Sequence, residues 1–136
     1  MDMVRLKREL ERDEGTRTEI YSDSLGIPSI GIGHNLRNKP LSQHVIDMIY
    51  AEDIEDVIQE LDKHLPWYIS LSENRQRVLA NMCFNLGING LLGFKNTLSA
   101  LQSGAWEQAA QGMLSSKWAR QVGQRAVRLA QMVQEG

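Results

Sequence analysis

Cysteine is nearly missing from this chain. Cys83 stands alone among 136 residues, so no internal disulfide can form. Its neighbours are apolar, and a buried, inert thiol is expected. No apolar run approaches the length that spans a bilayer. The first twelve residues are charged and lack the apolar centre of a secretory signal. The chain is therefore expected to be made in a cytoplasm, and to need some other route if it works outside. A formal charge of -2 gives no general attraction to nucleic acid. A nucleic-acid binder would also want a coherent basic face with base-stacking aromatics, and the sequence shows neither clearly. No second His or Cys stands at metal-ligand spacing from His34, so no metal and no cofactor is expected. Internal repeats and low-complexity segments are absent too.

What is present fits one domain with a sizeable core. The charges are uneven. Seven acidic residues and no Lys or Arg fall between Asp47 and Asp62, while four basic residues and no acidic one fall between Lys117 and Arg128. The acidic run reads first as a solvated helix face. Segment 3–12 carries Met3, Leu6 and Leu10 on one helical face, with Gly15 as its stop. Segment 16–21 alternates and is rich in β-branched and aromatic residues. Turn residues fill 22–26, and alternation resumes over 29–33 with Ile30 and Ile32 on one face and glycines on the other. Those glycines leave the backbone bare, which suits close approach of a ligand or another chain segment.

A short loop over 35–40 leads to Ser42, an N-cap candidate. Val45, Ile46, Ile49, Ile54, Val57, Ile58 and Leu61 then recur at helical spacing until Pro66 stops the helix near Leu65. Such a helix spans about 30 Å and can bridge two lobes. Everything beyond reads as helix. Ser72 opens a segment with Val78, Leu79, Met82, Cys83 and Leu86 as its stripe and Gly87 as its stop. Asn89-Gly90 reads as a turn, and short helices follow over 91–94, 96–102, 106–114, 117–122 and 124–133. The expected architecture is α+β and two-lobed over 1–136: a hairpin lobe at 13–41, a bridging helix at 42–65 and a helical lobe at 66–136, joined by helix 3–12.

The chemistry concentrates in 13–34. Glu14 closes the first helix, where the dipole disfavours an anion. Asp23 sits where a strand meets a turn, and Ser29 opens the next strand. Paired strands can bring Asp23 and Ser29 side by side. Each alone is an ordinary surface residue. Together they suit glycosidic cleavage, with an acid for the leaving oxygen and a carboxylate for water or the sugar cation. A cleft between lobes is where a ligand would bind.

These residues resemble the phage-type lysozymes, which are muramidases also called endolysins. Asp13-Glu14-Gly15, Tyr21-Ser22-Asp23 and Ile30-Gly31-Ile32-Gly33-His34 carry the likeness, with eight residues between Glu14 and Asp23 and five between Asp23 and Ser29. Asn81-Met82-Cys83-Phe84-Asn85-Leu86-Gly87, Gly93-Phe94, Trp106-Glu107-Gln108-Ala109-Ala110, Ser116-Lys117-Trp118 and Arg125-Ala126 extend it in order over nearly the whole chain. The resemblance implies hydrolysis of the β-1,4 bond between N-acetylmuramic acid and N-acetylglucosamine in peptidoglycan. Glu14 would be the acid, Asp23 would position water and stabilise positive charge, and Ser29 would replace a threonine that holds the water. Inversion at the anomeric carbon is implied, which needs room for water between the carboxyls.

The resemblance further implies sugar contacts at Phe84 and at Thr97, which replaces a serine. Core packing is the rival for Phe84. Asn35 stands for a leucine at another cleft position, Gly112 for an asparagine, and Asn85 for a glutamine near the acid. Arg125 matches an arginine that contacts the acid; a surface arginine is its rival reading. His34 would pair with Asp53, while His44 and His64 read as solvent-facing. The expected partner is peptidoglycan glycan strands, the expected state a monomer, and the expected place of action the cell wall, reached in the manner of an endolysin released through a holin. The segment 35–40 is much shorter than the family pattern, which removes a helical insertion. Two rivals stay open: a binding module of the same fold that holds glycan without cutting it, and a helical interaction domain.

Overall fold

The computed structural model describes all 136 residues, which form two compact units, Met1–Met48 and Ile49–Gly136. No helix is long and apolar enough to cross a membrane.

The first unit opens with α1 (Met3–Glu14), two residues longer than the apolar stripe predicts. Asp2 starts it by accepting the Arg5 N–H at 3.0 Å. Gly15 ends it, as expected, but through a different conformation. Its φ of 78° and ψ of 172° are extended with positive φ rather than left-handed helical. Only glycine adopts that region readily. The Gly15 N–H still reaches back to the Glu11 carbonyl at 2.9 Å.

A three-stranded antiparallel sheet follows in the order β1 (Arg17–Ser22), β2 (Pro28–Gly31), β3 (His34–Asn35). Tyr21 pairs Ser29 and Ser22 pairs Pro28, with an irregularity between Arg17 and Tyr21. The continuous strand expected over 29–33 is broken. Gly31 and Gly33 both take φ 67°, Ile32 falls in the turn, and His34 comes back to pair with Ile30. Alternation of Ile with Gly is compatible with a strand, but positive φ at the glycines reverses the chain. Asn35 then closes an Asx turn, its Oδ1 accepting from the Arg37 and Asn38 N–H groups at 3.0 and 2.9 Å. Ser29 is the one buried residue of this unit.

The helix α2 (Gln43–His64) contains the division between the units. Ser42 Oγ accepts the Val45 N–H at 3.3 Å, as the cap assignment predicts. Of the expected stripe, Val57 and Leu61 are buried, while Val45, Ile46, Ile49 and Ile58 are exposed.

In the second unit a 3-10 turn over Pro66–Ser70 precedes α3 (Glu73–Leu92), α4 (Lys95–Ser103), α5 (Trp106–Leu114), α6 (Lys117–Val122) and α7 (Gln124–Glu135). Ser72 caps α3 by accepting from the Arg75 N–H. Gly87 interrupts α3 with φ 73° and ψ 165°, yet the helix resumes. Asn89-Gly90 is therefore helical rather than a turn, and the separate helix expected over 91–94 merges into the end of α3. The other helices lie where the periodicity puts them, within two residues at each end.

The core is assembled in this unit. Leu61, Val78, Leu79, Met82, Leu91, Leu101, Met113 and Val133 are fully buried. Each such side chain contributes roughly 1.5–3 kcal/mol. Cys83 is buried as expected. Arg75 joins α3 to the end of α7. Its Nε donates to the Val133 carbonyl at 2.7 Å, and its guanidinium lies 3.6 Å from the Trp106 ring centroid. One side chain thus satisfies a helix-end carbonyl and covers an aromatic face.

Replacing Arg75 with Ala removes both contacts and should cost about 2 kcal/mol. Thermal unfolding should show a Tm lower by roughly 6 °C for a protein of this size. Arg75→Lys should recover only part of the loss, because an ammonium lacks the planar fork.

Two buried groups set the alkaline limit of stability. Burial pushes the Cys83 thiol up, with a smaller push from Glu60. Burial also raises Tyr68, whose hydroxyl donates to Asp62 at 3.0 Å. Both are neutral acids with raised folded values, so the unfolded chain ionises first. Their contribution is complete below the ordinary thiol and phenol values of 9.0 and 10.0 and is lost as pH climbs through the raised ones. Denaturant midpoints should fall above pH 9, and Cys83→Ser with Tyr68→Phe should flatten that fall.

Candidate active site

The candidate chemistry of the first unit is built around the backbone of one residue, Ile27. Its N–H donates to Asp23 Oδ1 at 2.9 Å. Its carbonyl accepts the Asp23 N–H at 3.0 Å and the Ser29 hydroxyl at 3.2 Å. The Leu25 N–H also donates to Asp23 Oδ1, at 2.8 Å. Asp23 is thus clamped in an Asx turn at the hairpin tip, with both bonds on one carboxylate oxygen. Tyr21 faces Ser29 and Ser22 faces Pro28 across the ladder, and Asp23 follows just beyond the end of β1, opposite Ile27.

Ser29 is only 2% exposed, and its hydroxyl hydrogen is committed to Ile27. Two lone pairs remain for accepting. Glu14 lies at the last position of α1 and is exposed. Its side chain runs along the turn after β2. A Cβ at Gly33 would stand 3.1 Å from Glu14 Oε2 and 3.3 Å from its Cδ. The glycine pattern foretold a close approach here; the approaching group is the acidic side chain itself. Beside it, His34 Nε2 and the Lys39 carbonyl are 3.0 Å apart, which closes the loop after β3. Asp53 is exposed on α2. Asn35, a substrate contact in the sequence reading, has its side-chain oxygen engaged in the Asx turn described above.

The second unit carries the other expected sugar contacts, and they separate. Phe84 is 47% exposed, which removes core packing as its role. It lines a groove of about 500 Å³ with Tyr50, Ile54, Ile58, Leu129 and Met132 on its apolar walls and Arg77, Asn81 and Arg125 at its polar ones. Arg125 is held by Asn81, donating from Nε at 3.0 Å and from a terminal nitrogen at 2.8 Å to the same amide oxygen. Asn81 has no role in the sequence reading, and only its position one turn before Asn85 could have suggested one.

Asn85 and Thr97 lie outside that groove. Asn85 accepts the Trp118 indole N–H at 2.7 Å, and Trp118 packs edge-on to Phe94 with ring centroids 6.0 Å apart. Thr97 is 4% exposed, and its hydroxyl occupies the place a side chain at Gly112 would take. Thr97 and Gly112 are therefore neighbours, and the bare backbone at 112 leaves room for the Thr97 hydroxyl. His64, read as solvent-facing, forms an exposed pair with Glu60 at 3.2 Å. No group of three or more His, Cys, Asp or Glu could hold a metal ion.

Comparison with known proteins matches residues 11–133 to the family model described as phage lysozyme. The chain is 31% identical, over 93% of its length, to the pre-baseplate central spike protein Gp5 of Enterobacteria phage T4. It spans only 27% of that spike protein. It is 24% identical over 96% of its length to probable T4-type lysozyme 1 of Dictyostelium discoideum, covering 94% of that protein. A further match, 32% identical, covers 62% of this chain and 62% of the endolysin of Salmonella phage P22.

The Ile27 peptide should be the weak point of the Asp23 turn. Ser29→Ala deletes one of its bonds, leaving the carbonyl with a single donor, and should cost about 1 kcal/mol. Native-state amide exchange at Leu25 and Ile27 should quicken roughly five-fold, while core amides such as Met82 keep their protection. Unchanged exchange at both turn amides would show that the hydroxyl does not support the carboxylate.

Proposed function

The chain belongs to the phage lysozyme family, and from that premise we propose that it is a muramidase cutting the β-1,4 bond between N-acetylmuramic acid and N-acetylglucosamine in peptidoglycan. The family match spans Glu14, Asp23, Ser29 and Arg125 together, and it is the observation that carries the reading.

Glu14 acts as the general acid. Its exposed carboxyl protonates the glycosidic oxygen as the bond to the anomeric carbon breaks. Asp23 acts on the opposite side of the sugar. Two N–H donors hold Oδ1 still, so Oδ2 is the oxygen that accepts a proton from the attacking water and faces the positive charge on the ring. Water attack from that side inverts the anomeric carbon. Ser29 serves Asp23 through Ile27, and its free lone pairs are the remaining handle for the water. Phe84 offers an apolar face to a sugar ring and Arg125 a cation to substrate anions. Thr97 and Asn85 support the wall behind these contacts. His34 closes the loop after β3 through its contact with the Lys39 carbonyl.

One observation favours a second reading. The Ser29 hydroxyl is buried and already donating, which leaves it less to offer a water than an exposed threonine would. A weak or inactive peptidoglycan-binding module of the same fold is the alternative. The place of action is the bacterial wall in either case. A role within a phage particle is proposed only as far as the likeness to a central spike protein carries it.

Wild-type protein should clear a suspension of purified cell walls, and Glu14→Gln should lower the rate by at least 10³-fold while the walls still pull the variant down on centrifugation. Proton NMR of the first sugar released should show the α-anomer. Walls cleared equally by Glu14→Gln, or a β-anomer formed first, would overturn the assignment or its stereochemistry respectively.

A further inference from the structure

We infer that Gly33 is a positioning residue for Glu14: the bare backbone at 33 is the seat that places the acidic carboxyl, and a side chain there would move it. The inference deepens the muramidase reading and rests on it.

The argument begins with a matched pair of glycines. Gly31 and Gly33 have the same φ of 67°, and both would be strained by any L side chain. Conformation alone does not distinguish them. Their surroundings do. A Cβ at Gly31 would meet nothing within 4 Å. One at Gly33 would meet three atoms of a single side chain, Glu14 Oε2 at 3.1 Å and Glu14 Cδ and Cγ at 3.3 Å. Those separations are tighter than ordinary carbon contacts, so one partner must yield by a few tenths of an ångström. The backbone at 33 cannot yield readily. It is fixed by the turn to β3, where His34 pairs Ile30 and Asn35 pairs Ser29. Glu14 is exposed and free to swing, so the carboxyl is what moves.

A displaced general acid loses rate rather than affinity. Proton donation needs the carboxyl oxygen within hydrogen-bond reach of the leaving oxygen, and misplacement by 1 Å can cost on the order of 10²-fold. A shift of a few tenths then predicts a loss of about five-fold. The same turn also joins β2, which carries Ser29, to β3. Residue 33 therefore bounds the space open to the acid from the same hairpin that carries Ser29.

The test compares Gly33→Ala with Gly31→Ala in the full chain. Both carry the backbone strain, and both should lower Tm. Only Gly33→Ala should lower kcat on soluble peptidoglycan fragments, by about five-fold with KM unchanged. Only Gly33→Ala should move the Glu14 side-chain carboxyl carbon resonance. If it fails to fold, Gly33→Asn carries the same Cβ on a residue that tolerates positive φ better, and reads the same contact. Equal kcat and an unmoved Glu14 resonance in Gly33→Ala or Gly33→Asn, relative to Gly31→Ala, would overturn the inference while leaving the muramidase reading intact. Lysis that survives Glu14→Gln would sink that reading, and with it the part of Gly33 in catalysis, whatever the spectra show.

Discussion

The backbone of Ile27 is the constraint on which the candidate chemistry depends. Asp23 is a half-buried carboxylate at a hairpin tip, and its orientation comes from hydrogen bonds. Ile27 supplies one to Asp23, takes one back from the Asp23 amide and takes another from Ser29. Those bonds join main-chain and side-chain groups across the seven residues 23–29. Regularity of the sheet matters less than these bonds, and the sheet is indeed irregular, with a shifted register in β1 and a third strand of two residues. Rigidity is spent where charge must be aimed.

The two units solve the problem of holding a side chain in different ways. In the second, apolar burial does the work, and the polar links Arg75 to Val133, Trp118 to Asn85 and Arg125 to Asn81 tie elements whose packing is already decided. The first unit has one buried residue, so nearly all its order rests on caps, Asx turns and glycine conformations. Its local stability should be low, since few buried apolar contacts oppose opening. A site built on hydrogen-bonded turns combines fixed local geometry with freedom on a larger scale.

What could be read in the residues follows the same division. The helices of the second unit are legible in the sequence, and α5 and α6 begin and end at the expected residues. The errors fall beside glycines. Gly87 stops the regular helix as expected, with φ 73° and ψ 165°, but a second helical stretch follows at once where a turn at Asn89-Gly90 is expected. Gly31 and Gly33 stand at strand-like spacing but turn the chain. A glycine in sequence says only that unusual dihedrals are permitted; whether the chain uses them, and continues afterwards, is settled by contacts many residues away. Hydrogen-bond partners of exposed polar groups were equally hidden. Nothing in the order of residues tells that Asn81, and not a carboxylate, takes the Arg125 guanidinium within this unit, or that Asn35 has its oxygen engaged in its own turn.

Side chains that meet across elements constrain one another. The Thr97 hydroxyl stands where a Cβ at Gly112 would be, so with Thr97 in this position a glycine is what fits at 112. Ser29 is constrained differently: it is buried and its hydroxyl donates to the Ile27 carbonyl, and without a β-branch its rotamer rests on that bond. Between α4 and α5 shape decides what can stand at a position, whereas in the hairpin a hydrogen bond does.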